Sequence, residues 1–429
     1  MMEVSITDIN DVQKEIEVTA SAEELTPHFE KAYKEQLPRI EIKGFRKGKV
    51  PLDLVKKLHG ESIEQQSLDS IVNDVYRQLV RERNIQTVGD PVLTEMDYKR
   101  GEALKFRISY EIKPAFELKD YKGLTVEKLI HRVTEREIEG EILRLRRANS
   151  SLSPAAEVTD DEHVVTADIQ EIDPTGNPLI GKKTPDVRLY LAEESVFEEV
   201  KAVLRHAAAG SALRVTVTPR RDASQPTGRK EPTHLEITVK KIEKVTLPEL
   251  DADLVKKMTK GKYETPEEFL KHLREDLERY WQDRSERMLT DLLIGEIVRR
   301  HDFTVPESLV RTVIDSLLEE LKDRYPSKRL PPGFDEKDFR EKNRAYGVFQ
   351  AKWYLVRERI IEAEKLGVDA SDLDRLADQE AEKLGMDKNR LKTFYESSEA
   401  VKSRIVSDKL LSFLKAHATI SERVVEDPV

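Results

Sequence analysis

The chain of 429 residues is acidic, with a formal net charge of -10, 36% charged residues and 6% aromatics, a balance that favours long solvated helices over a dense enzyme core. It has no cysteine, which excludes disulfides, thiolate metal sites and cysteine nucleophiles, and its length calls for roughly two to four domains. The opening MMEVSITDINDVQKEIEV lacks a basic start and a long apolar run, and no stretch approaches the roughly 20 apolar residues of a membrane span, so the chain reads as cytoplasmic and unexported, without a membrane partner.

From Asp11 to Ala20, Val12, Ile16 and Val18 alternate with Gln13, Glu15 and Glu17, which predicts a strand with one wet face. Ser21 and Glu24 have capping-box spacing, and a helix is expected from Ala22 to about Gln36. Between Pro38 and Leu58 lie seven basic residues (Arg39, Lys43, Arg46, Lys47, Lys49, Lys56, Lys57) against two acidic ones (Glu41, Asp53), a basic patch on an acidic body. At its centre Gly44 and Gly48 bracket Phe45-Arg46-Lys47, the pattern of a tight exposed loop tip. By its residues this tip is either a solvated charge run or a docking element, in which the ring inserts while the cations meet phosphates or carboxylates. Pro51 suits the first position of a short helix, PLDLVKKLHG, and a longer one is expected from about Glu61 to Arg83. Strands follow at Val92 to Tyr98 and Leu104 to Ile112, closing an α+β domain over residues 1–115.

Residues 116–152 read as a linker and a helix that packs on the C-terminal body, the helix opening at the capping box Thr134 to Glu137. Arg144, Arg146 and Arg147 in its last turn suit the helix dipole. Residues 153–247 change to short strands around Val164, Leu213 and Leu235, with turns at Asp173 to Gly176 and Gln225 to Gly228 and a lone helix from Phe197 to Ala208. Asp168, Glu171, Asp173 and His206 are read as solvated polar residues. The nine histidines form no metal-binding spacing, and no phosphate-binding glycine loop or nucleophile elbow occurs, so no metal and no cofactor is expected.

Residues 248–429 read as helical. Thr265-Pro266-Glu267-Glu268 is a strong helix start, and the stripe from Phe269 to Ile297 predicts a helix on the order of 50 Å long. A second helix carries Leu309 to Leu321, the proline-rich segment Tyr325 to Phe334 marks an arm tip, and a third helix runs from Asp335 to Leu366. Shorter helices are expected at Ser371 to Leu384, Lys388 to Tyr395 and Ser398 to His417, with a loose tail from Ser421 to Val429.

GFRKGKVP at Gly44 to Pro51 resembles the ribosome-binding signature of the trigger factor family. YEIKPAFEL at Tyr110 to Leu118, TLPEL at Thr246 to Leu250 and WYLV at Trp353 to Val356 sit in the family's order. The resemblance implies a multidomain α+β chain: an N-terminal α+β ribosome-binding domain, a small FKBP-like antiparallel β domain with one helix, and an elongated all-α C-terminal domain with arms. It implies an ATP-independent chaperone whose partners are the large ribosomal subunit near the exit tunnel and nascent or unfolded polypeptides, with a homodimer off the ribosome and no direct DNA binding. Phe45, Arg46 and Lys47 would form the ribosome contact, supported by Gly44, Gly48 and Lys49. The arms would form an open cradle, with Leu317, Leu321, Tyr325, Phe334, Phe339, Tyr346 and Phe349 as candidate substrate contacts.

The family also implies prolyl isomerase activity, which needs a dry aromatic pocket that favours the twisted amide. Here the middle domain departs from the family pattern. Its aromatics between Val164 and Val245 are Tyr190 and Phe197, and with Leu179 and Ile180 these are the candidate pocket residues. Two other readings stay open on the sequence: a prolyl isomerase whose helical body recruits substrate, and a non-ribosomal helical chaperone or scaffold.

Overall fold

The computed structural model describes residues 2–43, 45, 48–218 and 232–425. In chain order it runs β1 (Glu3–Asp8), β2 (Gln13–Ala20), α1 (Ala22–Gln36), a short 3-10 turn (Leu37–Arg39), α2 (Leu52–Glu82), β3 (Thr87–Asp97) and β4 (Leu104–Ile112). Next come β5 (Thr125–His131), α3 (Glu135–Ala148), β6 (Ser151–Pro154), β7 (His163–Ile172), β8 (Pro178–Tyr190), α4 (Glu198–Leu204), β9 (Ala212–Val217) and β10 (Thr233–Thr246). The remainder is α5 (Ala252–Thr259), α6 (Pro266–Arg300), α7 (Glu307–Asp323), α8 (Glu336–Ala363), α9 (Ala370–Leu384), α10 (Lys388–Ser397), α11 (Glu399–Ala416) and β11 (Thr419–Val425). Two units separate: Met1–Leu129 with Glu286–Arg423, and Ile130–Ser285 with Val424–Val429. Residues 130–152 and 248–285 thus group with the middle sheet, a division that cuts across the four-segment expectation.

In the first unit, β1, β2, β4 and β3 form an antiparallel sheet in that order. The inward residues Ile16, Val18, Leu104, Phe106 and Ile108 meet Leu25 and Phe29 of α1 and Leu68, Ile71 and Val72 of α2. On the opposite face Arg107 reaches Glu17 at 3.4 Å and Glu95 at 3.1 Å. Ser21 caps α1 through the expected reciprocal bonds with Glu24. β1 completes a hairpin that the sequence reading left out; as an edge strand it is mostly exposed and carries little apolar signal.

The two helices expected on either side of Gly60 are one, α2. Gly60 is buried, and a Cβ there would lie 2.3 Å from Nη2 of Arg100, so the glycine admits a guanidinium against the helix instead of ending it.

The helical part of this unit has three cores. Leu289, Leu293 and Ile297 of α6 pack with Val356 and Ile360 of α8, Leu410 and Leu414 of α11, and Leu124 and Val126; Phe116 stacks on Phe303 at 4.2 Å beside them. Leu373 and Ala377 of α9 pack with Leu391, Tyr395 and Ile405. Val310 and Ile314 of α7 meet Ala351 of α8 in a smaller core. Of the tail expected to be loose, residues 421–425 belong to β11, which pairs with β5, and residues 426–429 lie outside the described residues; the Thr419 N–H donates to the Leu124 carbonyl at 2.7 Å and Arg423 pairs with Glu127 at 2.9 Å. The strand forms because β5 offers an open edge.

In the second unit the sheet order is β6-β10-β7-β8, with β9 also on β10. Val165, Ala167, Ile237, Val239 and Ile242 meet Val200 and Leu204 of α4. That helix stops at Leu204, short of the expected Ala208, because His206 takes φ +63° and its N–H donates to the Val158 carbonyl at 3.0 Å. The Asp173 to Gly176 turn forms as expected, Asp173 accepting from Thr175 and Asn177; the Gln225 to Gly228 turn lies outside the described residues.

Candidate functional site

The basic loop leaves the 3-10 turn and returns into α2. Ile40 and Ile42 pack partly against the N-terminal core, and Val50, 3% exposed, is buried in it. Between these anchors the Phe45 N–H donates to the Ile42 carbonyl at 3.0 Å, and the Gly48 N–H points to the Ile40 carbonyl at 3.5 Å. Gly48 has φ +75°, a conformation that favours glycine. Phe45 is 43% exposed and Lys49 is exposed; a large apolar ring held in solvent between the half-buried Ile42 and the buried Val50 has lost the chance to contribute to the core. Gly44, Arg46 and Lys47 lie outside the described residues. Pro51 stands at the N-cap of α2, one position before the expected one, and its carbonyl accepts the Leu54 and Val55 N–H groups.

Behind the loop, the Glu64 carboxylate is buried and accepts from the hydroxyls of Tyr33 and Tyr98, the latter at 2.8 Å. Burial, reinforced by Glu64, pushes the Tyr33 hydroxyl up to about 12, so it stays a donor across the physiological range. Lys56 lies 3.5 Å from Glu30 and over the Tyr33 ring, whereas Lys57 and Leu58 in the next positions are exposed. Leu58 escaped the sequence reading because it follows Leu54 and Val55 at helical spacing and looks like core.

The middle-domain candidates fall at different places in the fold. Leu179 and Ile180 lie at one end of β8, Ile180 fully solvent-exposed, and Tyr190 ends the same strand on the order of 30 Å away along it. The Tyr190 hydroxyl donates to Glu162 and its ring faces the Arg147 guanidinium at 5.5 Å. Burial, then Glu162, pushes that hydroxyl up to about 12. Phe197 is the N-cap residue of α4, half-buried against the sheet core.

The acidic residues expected to be solvated are tied into bonds. Asp168 accepts from Lys240 at 2.5 Å, from Lys183 at 2.9 Å and from the Asp186 N–H, and these partners hold its carboxyl well below the usual range. Asp173 is lowered to about 2 by Thr175 and Asn177. Glu171 lies 3.7 Å from Lys182, and His206 is exposed. Among the described residues no three histidine or acidic side chains are grouped to hold a metal, and no helix is long and apolar enough to cross a membrane.

Of the cradle candidates, Leu317 and Leu321 lie on α7, Phe339, Tyr346 and Phe349 on α8, and Tyr325 and Phe334 in the connection between them. Tyr346 is 48% exposed and the others are half-buried. Phe334 lies against Phe339 with centroids 5.6 Å apart. An antiparallel pair of helices buries one stripe of each partner and leaves flanking apolar positions half-covered. Gly347 decides how close the pair comes: a Cβ there would lie 3.0 Å from Cγ1 of Val310 and 3.2 Å from Cγ1 of Ile314. A lone glycine inside a helical apolar pattern was the sequence signal for that contact.

An α+β domain with a phenylalanine-tipped basic loop, an antiparallel sheet domain, and helices with half-covered apolar faces define a multidomain protein built for contact with other macromolecules. Residues 2–145 match the family model for the bacterial trigger factor protein, and residues 265–416 match that for the trigger factor C-terminus. A trigger factor from Salinibacter ruber is 31% identical over 96% of this chain and 93% of its own, and one from Chlorobium phaeobacteroides is 30% identical over 100% and 99%. A solved structure titled "Promiscuous Substrate Recognition in Folding and Assembly Activities of the Trigger Factor Chaperone" aligns with TM-score 0.49 and 19% identity over 96% of this chain and 98% of that one. The chain belongs to the trigger factor family. It is a ribosome-associated chaperone, with the N-terminal domain as its ribosome-binding region.

Proposed function

We propose that docking runs through the loop at residues 44–49. Phe45, Arg46 and Lys47 make the contact with the large subunit beside the exit tunnel, and Gly44, Gly48 and Lys49 shape and support it. The observation that carries this reading is the exposed Phe45 ring, suspended between Ile42 and the buried Val50. The anchoring of Ile42 and Val50 in the core limits the ordering those positions need on binding, which lowers the entropic cost of docking.

The helical segment 248–429 then holds emerging chains in the cytoplasm without ATP. Leu317, Leu321, Tyr325, Phe334, Phe339, Tyr346 and Phe349 supply scattered apolar contacts in a charged rim, a surface that binds many sequences weakly. Off the ribosome the chain is read as a homodimer. Prolyl isomerase turnover stays open as an addition to this reading, although Leu179 and Ile180 lie at the opposite end of β8 from Tyr190; a proline-limited refolding assay with catalytic acceleration would establish it.

The test is co-sedimentation with ribosomes, wild type against a variant with Phe45, Arg46 and Lys47 all alanine. The wild type is expected in the pellet and the variant in the supernatant, with unchanged circular dichroism. Equal pelleting would overturn the docking assignment.

A further inference from the structure

The Arg100 guanidinium bridges about two turns of α2. Its Nη2 donates to the Lys56 carbonyl at 2.8 Å, and its Nε lies 3.4 Å from the Glu64 carboxylate. Between them sits Gly60, where a Cβ would fall 2.3 Å from Nη2 and 3.2 Å from the Tyr33 hydroxyl. Glycine in a helix interior is less favourable than alanine and softens the helix locally. The Lys56 carbonyl is the one that the Gly60 N–H reaches in an α-helix, so Arg100 adds a second donor to the weakest turn of α2.

That turn divides α2 into two parts. The part after it, from Ile63 onward, is packed along the sheet core. The part before it carries Val55 into that core and leads directly back through Pro51 and Val50 to Lys49 and Gly48. A bend at Gly60 would therefore move the C-terminal anchor of the loop relative to the rest of the domain. Arg100 comes from the β3–β4 connection, where Gly101 at φ +81° turns the chain, so one side chain ties that connection to the start of α2 in addition to the shared core.

We propose that Arg100 is a positioning residue for ribosome docking: by bracing α2 across Gly60 it fixes where the loop anchor at Gly48 to Val50 stands. It does so without touching the ribosome. This rests on the loop reading above.

The experiment compares ribosome affinity of the full chain as wild type, Arg100→Ala, Gly60→Ala, the double variant, and the loop variant with Phe45, Arg46 and Lys47 replaced by alanine, each as a function of salt. Removing the brace is expected to weaken docking about tenfold with an unchanged salt slope, because no phosphate contact is lost. Gly60→Ala alone displaces the guanidinium and weakens docking similarly. In the double variant the alanine methyl occupies the vacated space and stiffens the turn by itself, so affinity recovers. Thermal melts confirm that every variant is folded at the assay temperature.

Wild-type affinity in Arg100→Ala overturns the proposal. So does loss in Arg100→Ala that the double variant fails to rescue, or a salt slope reduced by about one, which would make Arg100 a direct phosphate contact. If the loop variant itself binds as wild type, the loop reading fails and the brace falls with it. If only the loop variant loses binding, the loop stands and the brace alone is wrong.

Discussion

Glu111, on β4, accepts the backbone N–H of Ser308 at 2.8 Å and that of Glu307 at 3.0 Å, and so caps the N-terminus of α7 from 197 residues away in sequence. The helix needs it: its own N-cap residue is Pro306, which makes no side-chain cap bond. Gly89 of β3 makes room for the junction, since a Cβ there would lie 2.4 Å from Cβ of Ser308. Glu111→Ala leaves two orphan N–H groups at a helix start and is expected to cost about 1 kcal/mol. Hydrogen exchange of the first-turn amides of α7, from Glu307 to Val310, should accelerate, with the sheet amides unchanged.

At the α7–α8 contact, Gly347→Val should force the helices apart. The new side chain meets Val310 and Ile314 at distances already tight for a Cβ alone, and overpacking of this kind costs about 2 kcal/mol. Denaturant melts would register it as a lowered midpoint.

Asp168 makes the middle domain acid-sensitive. Its folded carboxyl is held below the ordinary value of 3.8, chiefly by Lys240 and then Lys183. The stabilisation is therefore complete above about pH 4 and is lost as pH falls through the depressed folded value. Thermal melts at pH 7 and pH 3 should show a smaller acid-induced drop for Asp168→Asn, together with a lower melting temperature at pH 7.

Tyr346→Ala tests the apolar face of α8 with little risk to folding. The side chain is 48% exposed, and substitutions at such positions usually fall within about 0.5 kcal/mol. Suppression of aggregation of a denatured client should weaken while the melting temperature holds. Unchanged suppression would remove Tyr346 from the contact surface.

Much of the fold was legible where the decisive bonds are local. The capping boxes at Ser21 with Glu24 and at Thr134 with Glu137 started α1 and α3 as expected, and the unbroken alternation from Leu104 to Ile112 is β4. Gly385 closes α9 in the left-handed conformation. Reading failed where a residue acts on a distant partner. Gly60 looks like a breaker until Arg100 is seen against it, and β8 reads as a loop because most of its side chains are exposed. The loop at residues 44–49 was legible as a basic, glycine-bracketed tip; its support by Val50 was not.

By itself the sequence determined the helix starts, the faces of the strands, the basic loop in an acidic chain and the family signature, because each depends on neighbours within a few positions. Only the tertiary structure decided that α2 continues through Gly60, that Thr419 to Val425 pairs with β5, that Glu111 caps α7, and that Leu179 and Ile180 lie at the other end of β8 from Tyr190. Those outcomes rest on hydrogen bonds and packing between segments far apart in the chain, and such partners are chosen by the folded geometry.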